Sequence, residues 1–170
     1  MEGFEDVKLV LTGGKTGDDN KFLHNIRTKI RKNGLRGHVD FHENFEEEGM
    51  REFFRKVSLV SVPVRKGEAF GIYLLESMAS GVPVVQPSLG AFPEIVGLSQ
   101  GGITYEPNTP EALANSLADL LSSKEEMDRL SMAGRAGVEN HFHVADQMQK
   151  MLKIYENVNV NKRKNKNIKV

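Results

Sequence analysis

Residues 65–85 read RKGEAFGIYLLESMASGVPVV, and this stretch carries the strongest structural signal in the chain. Residues 71–80 predict a helix that is apolar on nearly all sides, and Gly81 followed by Pro83 is a strong stop signal. Two valines then begin a strand. A helix that is apolar all round packs between other elements. The stretch therefore predicts a helix and a strand inside the core of an α/β domain.

The same alternation of strands and helices extends over most of the chain. Strands are predicted over 7–11, 39–41, 59–62, 84–85 and 103–105. Helices are predicted over 20–32, 46–57, 71–80, 110–121, 124–140 and 144–155. In the last helix, the methionines at 148 and 151 are expected to face the core. Short apolar strands separated by helices are typical of a parallel sheet with helices on both faces. We therefore expect a Rossmann-like domain over residues 1–158. Ligands of such sheets bind beyond the carboxyl ends of the strands.

Composition excludes several classes of protein. The chain has 170 residues, of which 39% are hydrophobic and 27% charged, with no cysteine. A disulfide scaffold, cysteine-ligated zinc and thiol catalysis are excluded. No apolar run reaches the ~18–20 residues of a membrane span, and the start lacks the pattern of a signal peptide. We expect the cytoplasm, or the inner face of its membrane, as the location.

The formal net charge of zero hides two unlike parts. Residues 159–170 carry five basic side chains and no acid, and removing those five from 23 leaves 18 bases against 23 acids. An acidic body does not favour nucleic-acid binding. The tail has few apolar residues to offset its ordering entropy, so we expect it to be disordered. It is either a solvated tail or a weak contact with anionic lipid.

The turn at residues 12–16 imitates a phosphate-binding loop. Gly14, Lys15 and Thr16 match the end of the P-loop motif, but that motif needs a further glycine where this chain has Leu9. The motif therefore fails. Gly13 and Gly14 are either a permissive turn or a place where a ligand approaches the backbone closely.

The start of the helix at 71–80 has the features of an anion site. No Ser, Thr, Asp or Asn stands between Arg65 and Tyr73 to cap its free amides. Those amides are therefore available to an anion such as a diphosphate. Glu76, roughly 7–8 Å further along the helix, is placed to receive sugar hydroxyls, while Glu68 precedes the helix. The plainer alternative for Glu76 is a structural hydrogen bond. For Glu68 it is an acid that stabilises the helix by lying near the positive end of the helix dipole.

Glu68 and Glu76 are separated by seven residues, and the residues around this E-x7-E spacing carry a family resemblance. With Phe70-Gly71, the run LESMASGVPVV at 75–85, and the second loop GAFPE at 90–94, the chain resembles the family 4 retaining glycosyltransferases, also called glycosyl transferases group 1. The resemblance extends over about residues 7–155. It implies the C-terminal, donor-binding half of a two-domain GT-B enzyme.

The resemblance also implies the residues of the site. Glu68 would contact the transferred sugar as the catalytic residue, and Glu76 would bind the ribose hydroxyls. The donor-binding set is completed by the phosphate-facing amides at Phe70, Gly71 and Ile72, by Gly13 and Gly14, by His42 and Asn44 near the nucleobase, and by Gly90.

The implied reaction moves a sugar from a UDP- or GDP-sugar to an acceptor hydroxyl with retained configuration, in polysaccharide or glycoconjugate biosynthesis. A carboxylate near the anomeric carbon supports an oxocarbenium-like transition state. The chain contains no Asp-x-Asp and no metal spacing among its five histidines, so we expect neither a metal nor another cofactor. Two alternatives are a non-catalytic nucleotide-binding or assembly module and a GT-B epimerase or hydrolase.

Parts of the family pattern are absent. The Arg and Lys that the family directs at the diphosphate would precede residue 7, as would the first strand and the N-terminal acceptor domain. Arg65 and Lys66 are either substitutes for those cations or solvated loop charges. The position of Met1 indicates a fragment or truncated product, and we expect the isolated chain to be inactive. Without the first strand, the strands at 7–11 and 59–62 would either pair directly or accept a strand from another chain, by self-association.

Overall fold

The computed structural model describes residues 4, 6–13, 17–43 and 47–166. These residues form two compact units, one up to Val57 and one from Ser58 onward, where the sequence indicates one domain over 1–158. The division falls between the strands predicted at 7–11 and 59–62. The expected pairing of those strands, and self-association through them, stay predictions.

The first unit is built on a parallel strand pair. Its elements are β1 (Leu9–Gly13), a 3-10 turn (Gly17–Asp19), α1 (Asn20–Lys32), β2 (Val39–Glu43) and α2 (Glu47–Lys56). β1 and β2 are parallel, with Leu9 opposite Val39 and Gly13 opposite Glu43. A parallel pair needs a crossover between its strands, and α1 supplies it. The predicted strand–helix–strand order of this unit is confirmed.

The second unit contains residues 65–85. Its elements are α3 (Ile72–Ala79), β3 (Val84–Pro87), α4 (Phe92–Ser99), β4 (Gly102–Tyr105), α5 (Pro110–Leu121), α6 (Lys124–Phe142) and α7 (Val144–Lys166). β3 and β4 are parallel, with Val84 opposite Gly102. α4 was not predicted, although Pro93 in its first turn and Glu94 after it are helix-start signals.

The strand predicted at 59–62 is reduced to one bridge. Val60 makes a parallel bridge to Val84, with Val60 N–H donating to Pro83 O at 3.0 Å. At Val62 the backbone N–H donates instead to the side-chain Oε1 of Gln86 at 3.1 Å. Pro63 follows and has no N–H to donate, so the ladder ends here.

Alternate residues of β3 face opposite sides. Val84 packs in one apolar cluster with Leu74, Met78 and residues of α4, while Val85 packs in a second cluster with Leu120 and other residues. Successive strand residues point to opposite faces of a sheet. The second unit therefore has helices on both faces of its strands, as predicted.

α7 departs from two expectations. Its stripe was expected to be core, but Val144, Met148 and Met151 are 77%, 58% and 50% exposed. No element of the described part of the chain buries that stripe, so spacing alone did not fix its environment. The helix also continues to Lys166, into the segment expected to be disordered. That segment holds no Gly or Pro, and cations at a helix C-terminus suit its dipole. Among the described residues, no helix is long and apolar enough to cross a membrane.

Candidate functional site

α3 begins without a side-chain cap, as the sequence predicts. Gly71 is the N-cap residue, with φ 78° and ψ 64°, and no side chain bonds to the helix start. A Cβ at Gly71 would lie 3.2 Å from Phe92 Cε1 and 3.3 Å from Glu68 Cγ. Only glycine combines a left-handed φ with this crowding at low cost. The amides at the start of α3 are therefore left without a competing side-chain acceptor.

The Glu68 loop (residues 63–71) is held against the Gly90 loop (residues 88–91) through main-chain atoms. Ala91 N–H donates to Glu68 O at 3.0 Å. Gly90 has φ 57°, and a Cβ there would lie 2.3 Å from Glu68 O and 2.6 Å from Glu68 N. The two loops of the family resemblance thus meet in space, and glycine at 90 makes the close approach sterically feasible.

The side chain of Glu68 is half-buried beside the start of α3. Its Oε1 accepts a hydrogen bond from Ala69 N–H at 2.9 Å. A carboxylate has about four lone-pair sites, so most of its capacity is still open to a ligand or a neighbouring donor.

Glu76 lies within α3 and is also half-buried. Its carboxylate has no hydrogen-bond or ion-pair partner within the described ranges, and its neighbours Ser77 and Met78 are buried. A structural hydrogen bond, the plainer explanation for this acid, is therefore not found there. Partly desolvated carboxylates gain from hydroxyl or amide donors, which leaves Glu76 suited to ligand binding.

Two apolar residues border the helix start and remain accessible. Phe70 is 46% exposed and Ile72 is 63% exposed. The ring of Phe70 contacts Phe142 edge-on, with centroids 6.5 Å apart. Gly71 between them is itself buried, so an approaching ligand meets the exposed side chains of Phe70 and Ile72 first.

The remaining candidates belong to the first unit or to loops. Gly13 ends β1, where Thr12 is paired with His42 on β2, so these two candidates come together at the carboxyl ends of neighbouring strands. Gly14 and Asn44 lie outside the described residues. Arg65 and Lys66 are exposed and form no ion pair with any described residue. Both interpretations of these two cations stay open.

One residue near the site was missed by the sequence analysis. Tyr73 lies on the first turn of α3, and its hydroxyl is buried. Burial is the larger cause that raises the pKa of this phenol above 10.0, and the negative charge of Glu68 is the next. A polar tip in an otherwise apolar helix was the available signal. In the parts that the structure describes, no group of three or more His, Asp or Glu side chains is arranged to hold a metal.

Solved structures place this fold among the GT-B glycosyltransferases with Rossmann-like domains. The crystal structure of HepE from Anabaena in complex with UDP has a TM-score of 0.82 at 20% identity, over 90% of this chain and 42% of that one. The C-terminal domain of LpcC, a glycosyl transferase group 1 family protein from Francisella tularensis, has a TM-score of 0.74 at 25% identity, over 84% and 73% of the chains.

Sequence comparison gives the family. Residues 2–137 match the family described as glycosyl transferases group 1, and the chain belongs to that family. It is 31% identical over 160 residues to the phosphatidyl-myo-inositol mannosyltransferase of Mycobacterium leprae, covering 93% of this chain and 40% of that protein. It is 26% identical over 155 residues to the lipopolysaccharide core biosynthesis mannosyltransferase LpsB of Rhizobium meliloti, covering 90% and 43%. The chain thus spans about two fifths of the length of these relatives.

Proposed function

We propose that this chain is the donor-binding domain of a retaining glycosyltransferase that takes its sugar from a UDP- or GDP-sugar. The observation that carries the proposal is the uncapped start of α3, with Glu68 before it and an unpartnered Glu76 within it. Helix amides attract a diphosphate, and a carboxylate accepts from ribose hydroxyls.

The comparisons support this assignment. The family match covers both loops of the candidate site. HepE, which has the same fold, was crystallised with UDP and with UDP-glucose. Two relatives are named as mannosyltransferases, which favours a hexose as the transferred group.

In the proposed reaction, the bond between the anomeric carbon and the diphosphate breaks while a bond to the acceptor oxygen forms. The acceptor proton leaves with the departing diphosphate or to solvent. Glu68 lies beside the anomeric carbon and stabilises its developing positive charge, while the α3 amides stabilise the leaving diphosphate. No metal takes part in this proposal. Acceptor binding belongs to an N-terminal domain outside this chain, which leaves the chain alone without turnover. We further propose that the enzyme acts in the cytoplasm and that its basic tail makes weak contact with the inner face of the membrane.

Calorimetry with UDP, GDP, UDP-glucose and GDP-mannose tests the donor site. We expect saturable one-to-one binding of one nucleotide series. Glu76→Gln should weaken it roughly 10–100-fold, because a hydrogen bond to a charged group is worth ~1.5–3 kcal/mol. Glu111→Gln, which changes an exposed acid on α5, is the matched control and should bind as the unchanged chain does.

The negative outcomes separate the alternatives. Failure to bind any of the four ligands, both by this chain and by a chain extended upstream to include the first strand, would favour an assembly module. Binding restored only by the extension would assign the diphosphate affinity to the upstream cations. Hydrolysis or epimerisation of the donor without transfer by the extended chain would favour the other GT-B activities.

A further inference from the structure

Tyr73 occupies a particular place beside the proposed catalytic carboxylate. We propose that Tyr73 is a positioning residue, whose phenol holds the Glu68 carboxylate in the orientation that faces the transferred sugar. The inference rests on the proposed function of Glu68 and adds a residue that neither the E-x7-E spacing nor the second loop contains.

The geometry brings the two side chains together over Gly71. A Cβ at Gly71 would lie 3.3 Å from Glu68 Cγ and 3.3 Å from Tyr73 Cζ, so both side chains occupy the space that a larger residue would fill. Phe92 Cε1, at 3.2 Å from the same point, closes that space on another side. Cζ carries the phenol oxygen, so the polar end of Tyr73 is the part that approaches Glu68.

The phenol is a donor that still lacks an acceptor. Tyr73 Oη is buried and makes no hydrogen bond of full geometry among the described residues, although a side-chain interaction with Glu68 contributes to its raised pKa. Glu68 uses Oε1 to accept from Ala69 N–H, which leaves its other oxygen open. A buried hydroxyl without a partner is unfavourable, and rotation of the neighbouring carboxylate removes that cost.

The charge environment agrees with this pairing. Burial raises the pKa of the Tyr73 phenol, and the negative charge of Glu68 raises it further. The phenol therefore stays protonated as a donor at neutral pH. A proton donor toward a carboxylate stabilises the ionised form that an oxocarbenium-like transition state needs.

Backbone contacts alone do not orient the carboxylate. Ala91 N–H and the close approach of Gly90 fix the main chain of Glu68, and Ala69 N–H holds one carboxylate oxygen, but these contacts leave the side-chain torsions only partly restrained. Tyr73, on a helix whose neighbouring residue Leu74 is fully buried, is anchored firmly enough to restrict them. Its role is exerted through Glu68, because Tyr73 Cζ and Glu68 Cγ lie beside the same point over Gly71 and the two side chains interact electrostatically.

Calorimetry with the free nucleotide and the matching nucleotide sugar tests the inference. Tyr73→Phe removes only the hydroxyl and should leave affinity for UDP or GDP within about twofold, while weakening the sugar-bearing ligand about fivefold, the equivalent of one neutral hydrogen bond. Tyr155→Phe, at a 60% exposed position on α7, is the matched control. In a Glu68→Gln background, Tyr73→Phe should cause much less further loss.

Alkaline titration of phenolate absorbance supplies a second readout that needs no ligand. One high-pH transition should vanish in Tyr73→Phe and move to lower pH in Glu68→Gln, because the charge that raises the phenol pKa is removed. An unmoved transition in Glu68→Gln overturns the pairing. An equal effect of Tyr73→Phe on both ligands, or no effect on either, overturns the positioning role alone. If neither the unchanged chain nor a chain extended upstream binds either ligand, the proposed function is overturned, and the positioning role with it.

Discussion

The contact between the Gly90 loop and Glu68 gives a prediction with a calculable size. Gly90→Ala would place a Cβ 2.3 Å from Glu68 O and 2.6 Å from Glu68 N, where ordinary contacts are 3.4–4 Å. The two loops would therefore have to separate by about 1 Å. The left-handed φ of 57° adds about 1–2 kcal/mol, and the overpacking about 1–3 kcal/mol. We expect the free energy of unfolding to fall by about 2–5 kcal/mol.

Two matched variants separate the terms. Gly81→Ala has a φ of 77° but meets only the Ser131 hydroxyl at 3.2 Å, so it should show the backbone strain alone. Gly97→Ala meets nothing within 4 Å on α4 and should stabilise by about 0.5–1 kcal/mol. All three tyrosines follow residue 58, so urea unfolding followed by tyrosine fluorescence reports on the second unit. If Gly90→Ala lowers the free energy of unfolding by no more than Gly81→Ala does, the close contact at Gly90 does not constrain the two loops.

Three further predictions concern the free energy of unfolding in urea, followed by far-UV circular dichroism because that signal does not depend on tyrosine ionisation. Gly137→Ala on α6 would place a Cβ 2.1 Å from Ser99 O, so it should destabilise by about 1–3 kcal/mol; stabilisation would contradict the described packing. Thr109→Ala removes the side-chain acceptor of Ala112 N–H and should cost about 1 kcal/mol, whereas Thr109→Ser should retain most of it. The pKa of the Tyr73 phenol is higher in the folded chain than its ordinary value of 10.0, which applies in the unfolded chain. The phenol therefore contributes its full stabilisation below pH 10.0, and this contribution is lost as the pH rises through the pKa of the folded state. Stability should therefore fall above pH 10.0 more steeply in the unchanged chain than in Tyr73→Phe, and parallel curves would contradict this.

Periodicity and cap signals predicted the helices whose ends are marked by residues in their own sequence. The apolar pattern and Gly81 gave α3 within one residue at each end, and Thr109-Pro110 gave the start of α5. The strand at 59–62 was overestimated, because its pairing depends on Gln86 and Pro63 rather than on its own apolar residues. The stripe of α7 was assigned to the core because spacing identifies a face but not what covers it.

The candidate site could be predicted as a motif but not as a geometry. The E-x7-E spacing identified Glu68 and Glu76, and the second loop identified Gly90. The 2.3 Å constraint at Gly90 arises from contact between two separate loops, which no local pattern encodes, and the approach of Tyr73 to Glu68 depends on the left-handed backbone at Gly71. The sequence around Tyr73 predicts only an ordinary helix residue, because its position over Gly71 is visible only in the structure.

Amide NMR during titration with UDP and with GDP locates the diphosphate on the chain and so tests whether it binds at the start of α3. We expect the largest nitrogen and proton shifts at the start of α3, at the amides of Phe70, Gly71 and Ile72, with little change at Gly97. Shifts confined to α5, α6 and α7, with those three amides unmoved at saturation, would contradict this expectation.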